Sequence, residues 1–444
     1  MAKFSLPRIA LSAGIVFGAA TIASAQDSGA LLNLLSRKGI ITDQEAEELR
    51  AELTSEFAAN TPAGKLDISS GITKLRIAGD LRVRYQYDNE QANPAGTNNN
   101  QDRSRYRYRF RLGTTATLGS KWTAGLRFES NGGATSTNND FGSGTDNFSK
   151  TTDGVNLGQV FIQYNDTGVF GSDALDIRVG KFGHKFFNPG VNGFWIDSDI
   201  NFEGLAEEIV YGGLIDGWKT SLRAGQFILN ANSTAGADAN DPSLLLIGQV
   251  EFANKQWKIA PTFVGFAAPS AHDASANTPA LQASDTAVYT DLATFLLPVE
   301  FSTAFAGRPL AVYATYGINL EGEARARRLA QTRNVDDDVT IANVGVRYGA
   351  AKIPGEYQLT AEYRHVGNGS YSSLLLDSDF NGGYLNGKGF ILSGTYAITE
   401  AISATATYFN AFNIEGDRPA GGSTNRGDGF GKAQVLQIDL SAKF

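Results

Sequence analysis

From Leu75 the chain alternates. Leu75, Ile77, Leu81, Val83, Tyr85 and Tyr87 fall on one side of an extended segment, and Arg76, Asp80, Arg82, Arg84 and Gln86 on the other. That is the period of two that a β-strand imposes on its side chains. The next segment repeats it, with Tyr106, Tyr108, Phe110 and Leu112 interleaved with Arg105, Arg107, Arg109 and Arg111. A soluble sandwich does not readily bury four arginines or expose two tyrosines, a phenylalanine and a leucine. Lipid on one face and water on the other accommodates both, so the pattern predicts an antiparallel transmembrane β-barrel.

Fourteen further segments of this kind lie near 121–131, 156–165, 173–182, 206–214, 217–229, 244–253, 256–267, 287–298, 308–318, 339–349, 355–366, 387–398, 401–412 and 432–444, making sixteen expected strands over 72–444. Their connections alternate in length. Gly119-Ser120, Asp216-Gly217, Asn254-Lys255, the turn at Ala306 to Pro309 and Thr399-Glu400 are short. The stretches 89–102, 131–154, 183–205, 230–243, 268–286, 319–338, 367–386 and 413–431 are long. Short turns on one rim and long polar loops on the other are the habit of an outer-membrane barrel, and one long loop after every second strand implies an even count.

The segments before the barrel read differently. Lys3 and Arg8, the small apolar run from Ile9 to Ile22, and Ala23-Ser24-Ala25 predict an export signal over 1–25. Residues 26–71 are expected to form a periplasmic helical prefix and linker: Thr42 followed by Glu45 is a capping box, and Ala46, Leu49, Leu53 and Phe57 make one thin apolar stripe. That stripe could pack on the rest of the protein or pair with copies of itself. No later stretch approaches the roughly 18 apolar residues of a spanning helix, which leaves a closed barrel as the structure that satisfies every backbone group in lipid.

Composition narrows the classes. With 0 Cys among 444 residues a disulfide scaffold and a zinc ribbon are excluded, and 19% charged against 42% hydrophobic residues is too apolar for disorder. The formal charge is -8, and removing 1–25 leaves 36 Lys+Arg against 46 Asp+Glu, or -10, so nucleic acid is not an expected partner. Only His184, His272 and His365 are present, far apart, and no cofactor is expected. Gly427-Asp-Gly429-Phe-Gly431-Lys432 fails the phosphate-loop spacing, with Arg426 and Ala433 where Gly and Ser/Thr belong. Asp336-Asp337-Asp338 reads as a solvated loop, with a divalent cation as the sharper alternative.

The last segment alternates to its final residue: Leu436, Ile438, Leu440, Ala442 and Phe444 share the outward phase. It resembles the signature by which outer-membrane proteins are recognised by the barrel-insertion machinery. Sixteen strands, eight long loops and this segment together resemble a bacterial porin over the whole mature chain. More narrowly, Lys38-Gly39-Ile40-Ile41-Thr42 with Glu45-Ala46-Glu47-Glu48, and Asn188-Pro189 followed by Trp195 through Gly204, resemble the putative porin family. The chain departs from that pattern at Phe202, where the family has Pro, and at Trp195, which the family sets directly before its first Asp. The resemblance implies an outer-membrane location, lipid around the barrel, passage of small hydrophilic solutes and ions, and a homotrimer.

Inward parity assigns Arg82, Arg84, Arg105, Arg107, Arg109, Arg111 and Arg127 to one basic stripe on the lumen. The third long loop, 183–205, holds Asp197, Asp199 and Glu203, and its Phe186, Phe187, Phe194 and Trp195 gain little in bulk water but could pin the loop to a wall. In general porins the third loop folds in and narrows the barrel. An acidic loop opposite a basic wall sets up a transverse field for polar solutes. In the blander reading the arginines merely pair with Asp80, Glu129 and other carboxylates. An enzyme barrel lacks a nucleophile constellation here, while an envelope anchor or adhesin stands as the alternative that conductance would separate.

Overall fold

The computed structural model describes residues 32, 35–38, 40–60, 69–91, 100–131, 136–142, 154–230, 243–267, 291–330, 339–414 and 431–444. The expected export signal and the Asp336 to Asp338 run lie outside them. The chain divides into two units, Met1–Ser70 and Gly71–Phe444. In the first, helix α1 (Asp43–Asn60) begins where Thr42 and Glu45 cap each other: the Thr42 amide donates to the Glu45 carboxylate at 2.8 Å and the Glu45 amide donates to Thr42 Oγ1 at 3.2 Å. Two orphan donors of the first turn are thereby satisfied.

The second unit is a closed antiparallel sheet. Among the described residues its strands are β1 (Ile72–Gln91), β2 (Gln101–Leu118), β3 (Trp122–Asn131), β4 (Gly154–Asp166), β5 (Ala174–Gly183), β6 (Asn201–Ile215), β7 (Trp218–Asn230) and β8 (Ser243–Ala253). There follow β9 in two pieces (Trp257–Ile259 and Thr262–Ala267), β10 (Ala293–Phe305), β11 (Arg308–Asn319), β12 (Thr340–Gly349), β13 (Tyr357–Val366), β14 (Gly387–Ala397), β15 (Ile402–Asn413) and β16 (Lys432–Lys443). Each pairs with its sequence neighbours, and β16 returns to pair with β1 from Asp80↔Lys443 to Gln91↔Lys432, so the sixteen strands leave no edge.

The tenth strand sits later than its pattern suggests, at 293–305 instead of 287–298, and 287–290 lie outside the described residues. Pro298 looks like a strand end because it has no N–H to give. It is tolerated mid-strand because the adjacent β9 is interrupted at Ala260 and Pro261, and there Ala260 donates to the Pro298 carbonyl at 2.9 Å. A two-residue strand, Asn139–Asp140, folds back on β2, and helix α2 (Gly322–Ala330) occupies the sixth long loop.

Outward positions such as Ile77, Tyr106, Ile162, Val179, Leu359, Leu392 and Leu440 are exposed, as lipid-facing residues of an isolated chain should be. Trp122 packs on Tyr164 with centroids 4.9 Å apart and Trp257 on Phe301 at 4.7 Å, both beside short turns, where an interfacial aromatic girdle belongs. The apolar core is inside the barrel and off-centre. Leu245, Ile247, Val264, Leu296, Ile341 and Val366 on β8, β9, β10, β12 and β13 meet Phe186, Phe194, Trp195 and Ile196 of one long connection and Tyr371, Leu375, Leu376 and Leu385 of another.

Candidate functional site

The opposite side of the lumen is built from charges. The β1–β2 register sets Arg82 against Arg109 and Arg84 against Arg107. Like charges directly opposite one another repel, so the wall needs carboxylates from elsewhere. Asp439 of β16 takes Arg84 Nε at 2.7 Å and Nη2 at 2.9 Å, a two-pronged bond, and Arg82 lies 3.8 Å from the same carboxylate. Asp80 holds Arg109 at 3.2 Å and Arg111 at 2.7 Å. Asp140, carried in by the two-residue strand, takes Arg107 at 2.6 Å and Arg105 at 3.4 Å; Asp88 takes Arg103 at 2.8 Å and Arg105 at 2.9 Å. Arg127 on β3 pairs with Glu129 at 2.9 Å.

Residues 184–200 run through this interior. One end of the run reaches the wall: Asp199 accepts from Arg109 at 3.0 Å and Arg111 at 3.1 Å. The middle is fixed to the far side by Glu362 of β13, whose buried carboxylate accepts from the Val191 amide at 2.7 Å, Tyr313 Oη at 3.1 Å, Asn343 Nδ2 at 2.9 Å and Arg364 Nε at 2.8 Å. Arg364, itself fully buried, donates to the Val191 carbonyl and to that of Gly193 at 3.2 Å. Asn188 makes the tight bend by accepting from the amides of Phe194 at 2.9 Å and Trp195 at 3.0 Å. Phe194 and Trp195 are 1% and 0% exposed.

The two loop aspartates differ in charge. Burial raises the Asp199 carboxyl, but the Arg109, Arg111, Arg82 and Arg127 guanidiniums outweigh it and hold the group below its usual range. For Asp197 burial dominates, the neighbouring Asp199 and Asp379 charges add to it, and the carboxyl is pushed up to about 7.

A cavity of about 1170 Å³ lies between the arginine wall and this run. Of the residues singled out in the sequence, Arg82, Arg105, Arg107, Arg109, Arg111, Asp197 and Asp199 line it. Arg84 is buried behind them on Asp439, Arg127 stands beside Glu129, and Glu203 is set apart on β6, paired with Lys181 at 3.0 Å with a side chain 63% exposed. Parity could not have found Asp377 and Asp379, which line the cavity from the seventh long loop. One signal was available: Ser243 to Val250 reads Leu-Leu-Leu-Ile where the inward face should be polar, as a strand does when something packs against both sides.

A closed barrel with an apolar exterior, girdle aromatics and a cavity lined with paired charges defines a transmembrane β-barrel of the channel-forming type. A sequence profile for putative porins matches residues 83–257 and 302–444, and the chain belongs to that family. Among solved structures it is similar to a substituted Rhodopseudomonas blastica porin, with 10% identity, 84% of this chain and 100% of that chain covered, and a TM-score of 0.42. It is also similar to OprB of Pseudomonas putida solved at high pH, with 12% identity, 83% and 94% covered, and a TM-score of 0.46. No curated protein matches it.

Proposed function

We propose that this protein is a passive diffusion channel of the bacterial outer membrane, admitting small hydrophilic solutes and ions, and that the third long loop is its constriction. The carrying observation is the cavity of about 1170 Å³ lined by arginines of β1 and β2 and by Asp197 and Asp199 of the third loop, with Asp199 closing onto Arg109 and Arg111. Charges of both signs lining a narrow aqueous passage orient polar solutes and leave apolar ones without compensation for lost hydration. Residues 1–25 serve as the export signal, 26–71 as a periplasmic prefix, and the segment ending in Phe444 as the mark read by the insertion machinery; lipid surrounds the apolar belt.

Purified protein in a planar bilayer tests this directly. Stable ion-conducting steps are expected, with solute uptake by liposomes falling as solute size rises. Replacing Arg82, Arg107 and Arg109 with Glu moves selectivity toward cations. A protein that inserts and conducts nothing overturns the channel reading and favours an envelope anchor.

A further inference from the structure

The seventh long loop, 367–386, is as deeply set in the barrel as the third. Tyr371, Leu375, Phe380 and Leu385 are buried in its apolar clusters, and the Asn319 side chain at the mouth of β11 donates to the Gly369 carbonyl at 2.7 Å. The two loops are joined by backbone: the Asp197 amide donates to the Leu375 carbonyl at 2.7 Å. Past that joint the loop turns toward the cavity. Asp377 stays behind, 3.5 Å from the buried Arg364 guanidinium, while its Oδ1 accepts the Asp379 amide at 2.9 Å. That bond fixes the backbone so that Asp379 points at the arginine wall, 3.5 Å from Arg84, with the Asn192 side-chain Nδ2 of the third loop donating to it at 3.3 Å. The Asp379 side chain is 23% exposed and lines the cavity.

We infer that the charge filter of this channel has two jaws, and that Asp379 on the seventh long loop is a specificity-determining residue alongside Asp199 on the third. The inference rests on the channel reading and refines it. Arg84 would be held without Asp379, because Asp439 grips it at two atoms. Asp379 is therefore a carboxylate whose removal changes the field in the passage and leaves the wall standing. Asp199 differs, since it is a ligand of both Arg109 and Arg111.

The test is ion selectivity of the full-length protein in planar bilayers under a salt gradient. Asp379→Asn is expected to raise the chloride-to-potassium permeability ratio about two- to threefold, the effect of one unit charge within a Debye length of the ion path. Asp379→Lys is expected to raise it further. Glu400→Gln, in an exposed short turn, makes the same change in formal charge and is expected to leave the ratio alone. Asp379→Asn channels with wild-type selectivity, in a series where Asp199→Asn does shift it, overturn the second jaw and leave the channel reading intact. A wild type that does not conduct overturns both. Should Asp379→Asn and Glu400→Gln shift the ratio equally, net charge and not position is responsible, and the assignment fails.

Discussion

Gly79 and Phe444 exchange both of their main-chain hydrogen bonds, the Gly79 amide donating at 2.8 Å and the Phe444 amide at 3.1 Å, while the Phe444 ring lies flat enough over Gly79 that a Cβ there would stand 2.8 Å from it. The same Cβ would meet the Arg111 carbonyl at 2.4 Å, so neither the partner strand nor the final aromatic leaves room. Glycine is required at this point of the seam by close approach.

Gly79→Val is accordingly expected to weaken the closing pair by about 1–3 kcal/mol, the usual cost of forcing atoms into a packed site. The temperature at which the folded barrel loses its fast mobility on a denaturing gel should fall. An unchanged transition would show that the last strand tolerates displacement.

Glu362 is the hub on which the third loop hangs. Glu362→Ala removes four acceptor contacts and leaves the buried Arg364 guanidinium only the more distant Asp377 carboxylate at 3.5 Å and the loop carbonyls, a loss of about 3 kcal/mol, the lower end for a broken buried pair. Single-channel records should become noisy, with a larger mean conductance. Glu362→Gln keeps the shape and the Val191 contact and should be milder.

Trp195 is completely enclosed beneath the same loop. Trp195→Ala should cost about 3–5 kcal/mol of local packing and loosen the loop, raising the size limit for sugars in liposome swelling. Phe187→Ala, at a ring lying 5.2 Å from the Lys258 ammonium, should affect swelling much less.

Asp197 gives the channel a titration near neutrality. With its carboxyl pushed up to about 7, acidification from pH 8 to pH 6 adds a proton and removes one negative charge, so anion preference should increase over that window. Asp199, held charged by its arginines, stays out of it. Folding favours the protonated Asp197, so its contribution to the loop's stability is full only below the ordinary carboxylate value of 3.8, declines as pH rises from there, and is lost above about 7. Asp197→Asn should flatten the selectivity profile between pH 6 and 8, and a persisting slope would assign it to another group.

The strands were legible because lipid and water enforce strict alternation on Leu75 to Tyr87 and on Arg105 to Leu112, and the same parity placed Arg82, Arg107 and Arg109 on the lumen. The burial of Phe194 and Trp195 could also be anticipated, since large aromatics within an otherwise polar loop need a surface to cover them. The carboxylates that balance the wall were harder. Asp140, Asp377 and Asp379 belong to long connections, where no periodicity links sequence position to direction, and their placement depends on contacts such as Asp197 to Leu375 between residues far apart in the chain. The seventh loop scatters its aromatics singly, at Tyr371, Phe380 and Tyr384, where the third sets them in the adjacent pairs Phe186-Phe187 and Phe194-Trp195, and α2 was hidden inside a connection classed only by its length. Glu203 shows the limit in the other direction: near two lumen-lining aspartates in sequence, it falls on the regular part of β6, where the pairing with β5 decides its direction and its partner is Lys181.

The position of Asp439 has a consequence for biogenesis. It lies on β16, and the arginines it neutralises, Arg82 and Arg84, lie on β1. A nascent sheet that has not yet zipped its last strand onto its first would present those guanidiniums without their counter-charge, along the line where the barrel is still open. Sealing the wall and bringing Arg82 and Arg84 their β16 counter-charge are then a single event.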